Sequence, residues 1–250
     1  MPQATIKAVL FDLGETLIDF GQFSPSALFR QAARNSYDYI RSLGKPLDGF
    51  AHYLWYNRLG LRLHLLRSRL CRRDFDALDL LRNAGTKRGL DLTDEQWLRV
   101  HACWYEPLGK LGKPEPNLAA ALARLRDMGL AMGILSNTFV HASALDEHLE
   151  RFGLLEFFPL RMYSYQYPWR KPNRRIFLEA ARRLNLAPNH ILFIGDRIDV
   201  DVKGATRAGM MAILKSAHTN AGKLLPPGID RIDSISQLPA WIEKTTASPR

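Results

Sequence analysis

Four groups of polar residues in this chain have the types and spacing to do chemistry together: Asp12, Ser136-Asn137-Thr138, Lys171, and Asp196 with Asp199 and Asp201. Asp12 closes the apolar run Ile6-Lys7-Ala8-Val9-Leu10-Phe11, Ser136 follows Ile134-Leu135, and Asp196 follows Ile191-Leu192-Phe193-Ile194-Gly195. A carboxylate at the end of a strand-like run is held rigidly yet exposed at a sheet edge, where a nucleophile or metal ligand is useful. Several carboxylates converging on one place repel one another unless a cation joins them, and a hard, oxygen-seeking ion such as Mg2+ suits such donors. Lys171 added to that set would help neutralise the oxygens of a transferring phosphoryl group. Taken singly, each group has a plainer use, because Ser-Asn-Thr, Asp199 or Asp201 could merely cap a helix. Their recurrence at strand ends is the signal, since ligands of open α/β sheets gather outside the carboxyl ends of the strands.

The elements that must position these groups are legible from periodicity. Short apolar runs at 5–11, 130–135, 191–194 and 211–214, with a shorter one near 158–163, predict strands, and amphipathic helices at about 117–128, 173–184 and 200–208 separate the later ones. In the second of these helices Ile176, Phe177, Ala180, Ala181 and Leu184 share one face, with arginines opposite. The third stops at Gly209, a natural helix-terminating position. Residues 20–108 break the alternation with long helical patterns, Ala27 to Leu43 and Phe50 to Leu66, and no strand signal. The expectation is an α/β fold, a Rossmann-like parallel-sheet core of residues 1–19 and 109–250, with an all-helical cap of residues 20–108 inserted after the first strand. Lys110, Gly112, Lys113 and Pro114 mark the re-entry, and Ser216 to Ile229 reads as a loop.

Composition narrows the function classes. The chain has 250 residues, 46% of them hydrophobic, enough for a sizeable core. No segment approaches eighteen consecutive apolar residues, and the start, Met1-Pro2-Gln3-Ala4-Thr5, leaves no room for a signal peptide, so a cytoplasmic protein without a membrane partner is expected. Cys71 and Cys103 form no Cys-x-x-Cys pair and read as buried or partly buried thiols. The formal net charge of +10 invites an anionic partner. The arginines are scattered, however, and the tightest group, Arg67, Arg69, Arg72 and Arg73, makes at best a sparse helical face. A small anionic substrate fits the excess better than nucleic acid. The seven histidines show no metal-ligand spacing.

Four segments in order resemble the motifs of the haloacid dehalogenase-like superfamily, in the subclass with a helical cap after the first strand. They are Phe11-Asp12-Leu13-Gly14-Glu15-Thr16-Leu17, Leu135-Ser136-Asn137-Thr138, Arg170-Lys171-Pro172, and Ile194-Gly195-Asp196-Arg197-Ile198-Asp199-Val200-Asp201. The resemblance implies that Asp12 attacks phosphorus and becomes a transient aspartyl phosphate. It implies that Mg2+ is held by Asp12, the Gly14 carbonyl, Asp196 and, directly or through water, Asp201. Ser136 would bind a phosphoryl oxygen with the amides of Leu13 and Asn137, Lys171 would neutralise nucleophile and phosphoryl group, and Thr16 would support the first loop. The implied substrate is small, anionic and phosphorylated, and the implied assembly a monomer or homodimer.

The departure is at Gly14, where phosphatases of this family carry a second aspartate that protonates the leaving group and later activates water. Glycine does neither, although its carbonyl can still face a metal. Glu15 is one position further on, with its side chain expected to point elsewhere. Positioned proton transfer is worth about 10²–10⁴-fold in rate, so acyl and aryl phosphates, with good leaving groups, would suffer least. The alternatives are a catalytically weak or inactive binding protein on the same scaffold, or a phosphonate or carbon–halogen hydrolase. Retention of the metal-type Asp196 weighs against dehalogenation.

Overall fold

A short central strand fixes everything else. In a computed structural model, which describes residues 5–247, β1 (Ala8–Phe11) has no polar side chain and is buried on both faces. Val9 and Phe11 face one hydrophobic cluster, and Ala8 and Leu10 face the other. Only a strand covered on both sides tolerates such a run. The covering strands and helices follow from that.

The chain continues through β2 (Ile18–Asp19), four helices, α1 (Pro25–Ser42), α2 (Phe50–Cys71), α3 (Ala77–Thr86) and α4 (Asp94–Gly109), and β3 (Lys113–Pro114), which pairs antiparallel with β2. Then come α5 (Leu118–Asp127), β4 (Ala131–Ser136), α6 (Ala142–Arg151), β5 (Leu160–Tyr163), α7 (Arg174–Leu184) and β6 (Ile191–Gly195). A wide helical turn at Ile198–Val202 leads into α8 (Lys203–Arg207), followed by β7 (Met211–Lys215), β8 (Asp230–Ile232) and α9 (Leu238–Ala247). The main sheet is parallel, in the order β5-β4-β1-β6-β7-β8. Side chains of α5, α6 and α9 cover one face, and those of α7 and α8 cover the other.

The Rossmann-like α/β core expected from periodicity is what forms. Four features differ from the sequence reading. The strand β8 and the small β2–β3 pair carry no apolar signature, because strands of two or three residues at an edge need none. Helix α2 runs five residues beyond Leu66, to Cys71, with Arg72 in the left-handed conformation at its end. The predicted helix at 200–208 is split into the wide turn and the shorter α8. Finally, Cys71 is exposed, contrary to the expectation for both thiols, while Cys103 is buried.

Helices α1–α4 pack around Ala33, Tyr37, Ile40, Tyr53, Trp97 and Val100, a cluster distinct from the two flanking the sheet. Each of three has a side-chain N-cap: Ser24 for α1, Asp76 for α3, and Thr93, in a reciprocal capping box with Gln96, for α4. These helices meet the core through buried polar contacts. His148 of α6 is buried, with Nδ1 2.6 Å from the Tyr105 hydroxyl of α4. Burial pushes its pKa down to about 4. His141 caps the N-terminus of α6. Among the described residues, no helix is long and apolar enough to cross a membrane.

Candidate active site

The strand order explains why three polar segments meet. β1 lies between β4 and β6, with Phe11 abreast of both Ile134 and Ile194. The chain winds from β1 to one side and later returns to the other, so β1 is the switch point at which such sheets open a crevice. The Asp12 amide donates to the Ile194 carbonyl at 2.8 Å, extending the ladder by one residue. Ser136 ends β4 and is buried, and Asp196 follows β6 directly.

Asp12, Asp196 and Asp201 each place a carboxylate oxygen within 4.8 Å of the others. One lysine answers two of them directly. Lys171 Nζ lies 2.9 Å from Asp12 Oδ1 and 2.6 Å from Asp201 Oδ1, and is almost wholly buried. Burial alone would lower the Lys171 pKa, but the charges of Asp12 and Asp201 overcome it and hold the ammonium protonated. The carboxylates feel the opposite imbalance. Burial, with the charge of Asp12, raises Asp196, and burial pushes Asp201 up to about 7 even against the Lys171 ammonium. Three acids and one base leave surplus negative charge in a buried place, and the donors are all hard oxygens. That set fits a divalent cation of the Mg2+ type.

Protein groups approach both Asp201 oxygens. Its Oδ1 faces Lys171, and its Oδ2 accepts the Arg197 amide at 2.9 Å. The approach requires Gly195, since a Cβ there would fall 2.5 Å from the Asp201 carboxyl carbon. Asp201 thus faces Lys171 from within the same carboxylate cluster. Asp199 lies apart, paired with Arg197 on the surface.

Lys171 is positioned from the next strand end. Asn137 Nδ2 donates to the Lys171 carbonyl at 2.9 Å, and the Lys171 amide donates back to Asn137 Oδ1 at 2.9 Å. Thr138 does local work instead, its hydroxyl accepting the Val140 amide and its amide donating to Ser164.

In the first loop, the Leu13 side chain is buried in the core and its carbonyl accepts from Leu17 and Ile18. The Thr16 hydroxyl is buried with no hydrogen-bond partner among the described residues. Gly14 is not in the left-handed region, and a Cβ added there would meet only the Phe20 ring, at 3.7 Å. A side chain would therefore fit, so neither sterics nor backbone conformation demands glycine. Glu15 turns away from the site. Its carboxylate accepts the Phe20 amide and lies 3.1 Å from His218 Nδ1, while burial and the neighbouring Asp19 carboxyl raise its pKa to about 7. It cannot stand in for the missing aspartate from there.

Sequence reasoning missed the residues that steady Asp196. The Thr219 hydroxyl donates to its Oδ2, and Asn220 Nδ2 donates to its carbonyl at 2.8 Å and to the Lys215 carbonyl at 2.7 Å. They sit in the segment read only as a loop, where nothing in the sequence marks that Asn220 is buried. A second missed group is Asp74, between α2 and α3. It is buried, 2.6 Å from Arg170 Nη1, and bonded to Ser68 and Ser164. Beside it Phe75 stacks on Phe139 at 5.2 Å between ring centroids, and the Ala77 amide donates to the Phe139 carbonyl. The helical unit thus grips both the loop carrying Asn137 and the residue preceding Lys171. Among the aromatics of the helical unit, Trp104 and Tyr105 line an apolar cavity of about 410 Å³ that reaches Phe139 and Val140. Tyr56 is buried in the helical core and Trp55 faces solvent.

Comparison with known proteins bears on the same residues. The haloacid dehalogenase-like hydrolase family profile matches residues 6–209, which include Asp12, Ser136, Asn137, Lys171, Asp196 and Asp201. A glyceraldehyde 3-phosphate phosphatase of Methanopyrus kandleri is 34% identical over 208 residues, 83% of either chain. A glyceraldehyde 3-phosphate phosphatase of Methanothermobacter thermautotrophicus is 30% identical over 93% of this chain and 98% of its own. Among solved structures, an HAD phosphatase from Thermococcus onnurineus superposes with a TM-score of 0.60 over 95% of this chain and 98% of its own, a likeness of fold at 22% identity.

Proposed function

The chain belongs to the haloacid dehalogenase-like hydrolase family, and we propose that it is a Mg2+-dependent phosphatase that transfers phosphoryl groups through Asp12. The observation that carries this reading is Lys171, buried between Asp12 and Asp201, with Asp196 in the same cluster. The names of the similar phosphatases support a small phosphorylated substrate.

In this reading an Asp12 carboxylate oxygen attacks phosphorus, the bond to the leaving oxygen breaks, and that oxygen departs with the electron pair. Water then cleaves the aspartyl phosphate, restoring the carboxylate and releasing inorganic phosphate. Lys171 holds Asp12 oriented and offsets charge on the phosphoryl oxygens. Ser136, with the Leu13 and Asn137 amides, binds those oxygens. Asp12, Asp196 and the Gly14 carbonyl would hold Mg2+, with Asp201 acting through Lys171 or a water. When bound, the ion supplies electrostatic stabilisation of the phosphoryl group. Thr16 supports the loop. Residues 20–108 serve as the cap, fastened by Asp74 to Arg170 and by Phe75 to Phe139.

The leaving oxygen finds no positioned acid, because Gly14 has no side chain and Glu15 is engaged elsewhere. Acyl and aryl phosphates, which leave without protonation, are therefore the substrates this site handles best. Quenching the enzyme during acetyl phosphate turnover and reducing with borohydride tests the reading. Conversion of Asp12 to homoserine, located by peptide mass, supports it; turnover with an unmodified Asp12 peptide refutes it.

A further inference from the structure

Helix α2 carries a feature that phosphoryl transfer leaves unused. Trp55, Leu59, Leu63, Leu66 and Leu70 are all exposed, Trp55 at 61%, Leu63 at 57% and Leu70 at 76%. At 3.6 residues per turn they fall within roughly 80° of the helix circumference and extend roughly 22 Å along it. The opposite face of the same helix, with Tyr53, Tyr56 and Ser68, is buried. The five side chains thus form one continuous apolar ridge pointing away from the protein, where isolated exposed leucines would need no explanation.

The charges beside the ridge are all of one sign. From Phe50 to Cys71 the helix contains Arg58, Arg62, Arg67 and Arg69 and no acidic residue, and Arg72 and Arg73 follow. By helical position, Arg58, Arg62 and Arg69 run along one side of the ridge and Arg67 along the other. Arg62, Arg67, Arg69, Arg72 and Arg73 are exposed, and none pairs with a carboxylate among the described residues. Elsewhere on this protein exposed arginines such as Arg182 and Arg183 do find acids.

We propose that this face of α2 docks the protein onto an anionic lipid surface, with the Trp55–Leu70 ridge in the headgroup–acyl boundary and the flanking arginines on lipid phosphates. An apolar ridge flanked by arginines, with a tryptophan at one end, is the composition that contacts with a membrane interface use. The arginine stems lie over apolar surface while their guanidiniums reach outward to phosphate. This is a peripheral contact, compatible with the lack of any spanning helix among the described residues. Charge decides against the other occupants. Two copies packed ridge to ridge about a two-fold axis would set arginines against arginines. Nucleic acid offers phosphates but nothing to cover five large apolar side chains.

The test is flotation with phosphatidylcholine vesicles, neutral or carrying about 30% phosphatidylglycerol, at low and high salt. The expected result is binding to the anionic vesicles alone, weakened by salt. Leu63→Glu and, separately, the pair Arg67→Glu and Arg69→Glu should each lower the bound fraction at least about tenfold. Turnover of p-nitrophenyl phosphate in solution should stay unchanged, which also reports folding. A blue shift of tryptophan emission on binding should disappear in Trp55→Phe. Wild type that remains in solution with every vesicle, or vesicle binding indifferent to these substitutions, overturns the proposal. A wild-type dimer that Leu63→Glu splits, without vesicle binding, also overturns it and assigns the face to a second copy.

Discussion

Asn137 and Lys171 hold each other by the backbone of one and the side chain of the other: the Asn137 amide group spans the Lys171 main chain, donating to its carbonyl and accepting its N–H, both at 2.9 Å. The pairing crosses two polymer segments 34 residues apart and ties the end of β4 to the residue on which the charge balance of the site depends. Lys171 thus owes its place to a neighbour that has no charge of its own.

Removing that clamp tests its importance. Asn137→Ala leaves the Lys171 amide and carbonyl without their partner, at a typical cost of about 1–3 kcal/mol where the groups are buried. We expect kcat to fall roughly 10- to 100-fold on acyl phosphates, corresponding to about 1.4–2.7 kcal/mol. Steady-state kinetics with thermal unfolding as a control checks this; an unchanged kcat in a folded variant would show that Lys171 is placed without Asn137.

Gly14 makes the sharpest chemical prediction. Its Cβ position is open apart from the Phe20 ring at 3.7 Å, so Gly14→Asp should fold and present a carboxyl to the leaving group. Turnover of alkyl phosphates, which need protonation on departure, should rise about 10²-fold or more, while acetyl phosphate changes little. Comparing the two substrate classes in parallel separates a gained acid from a general effect. An equal change in both classes, or none in either, sinks the idea.

His148 predicts a pH dependence of stability. Burial depresses its folded-state pKa to about 4 from an ordinary value of 6.5. The unfolded chain therefore binds the proton first. The stability His148 contributes is fully present above about pH 6.5 and is lost as pH falls toward 4. His148→Gln keeps an acceptor for the Tyr105 hydroxyl without titrating. Between pH 7 and 4.5 the Tm of the wild type should drop by roughly 5–10 °C more than that of the variant, the shift that ~2.5 kcal/mol produces in a chain of this length. Parallel curves for the two proteins would contradict it.

Much of this architecture was legible because its signals are local. The runs ending at Phe11, Leu135 and Gly195 are apolar because each strand is covered on both faces, and the polar residue after each run marks a strand end. What escaped depends on contacts between distant segments. Thr219 and Asn220 reach Asp196 from a loop whose sequence is only polar. Asp74 finds Arg170 across 96 residues, and no spacing rule connects them. The exposed ridge of α2 was hidden for another reason. Its sequence reads only as a long helical pattern, and apolar residues on both faces of one helix blur the period that separates inside from outside.

The central claim is that Asp12 carries phosphoryl transfer with a divalent cation. The most direct measurement is phosphate release from acetyl phosphate and p-nitrophenyl phosphate by the wild type and Asp12→Asn, each with Mg2+ and with chelator. We predict turnover by the wild type that requires Mg2+ and falls at least about 10³-fold in Asp12→Asn, whose isosteric amide preserves the fold but cannot attack phosphorus. Turnover that survives in Asp12→Asn, or that is indifferent to chelation, would contradict the account.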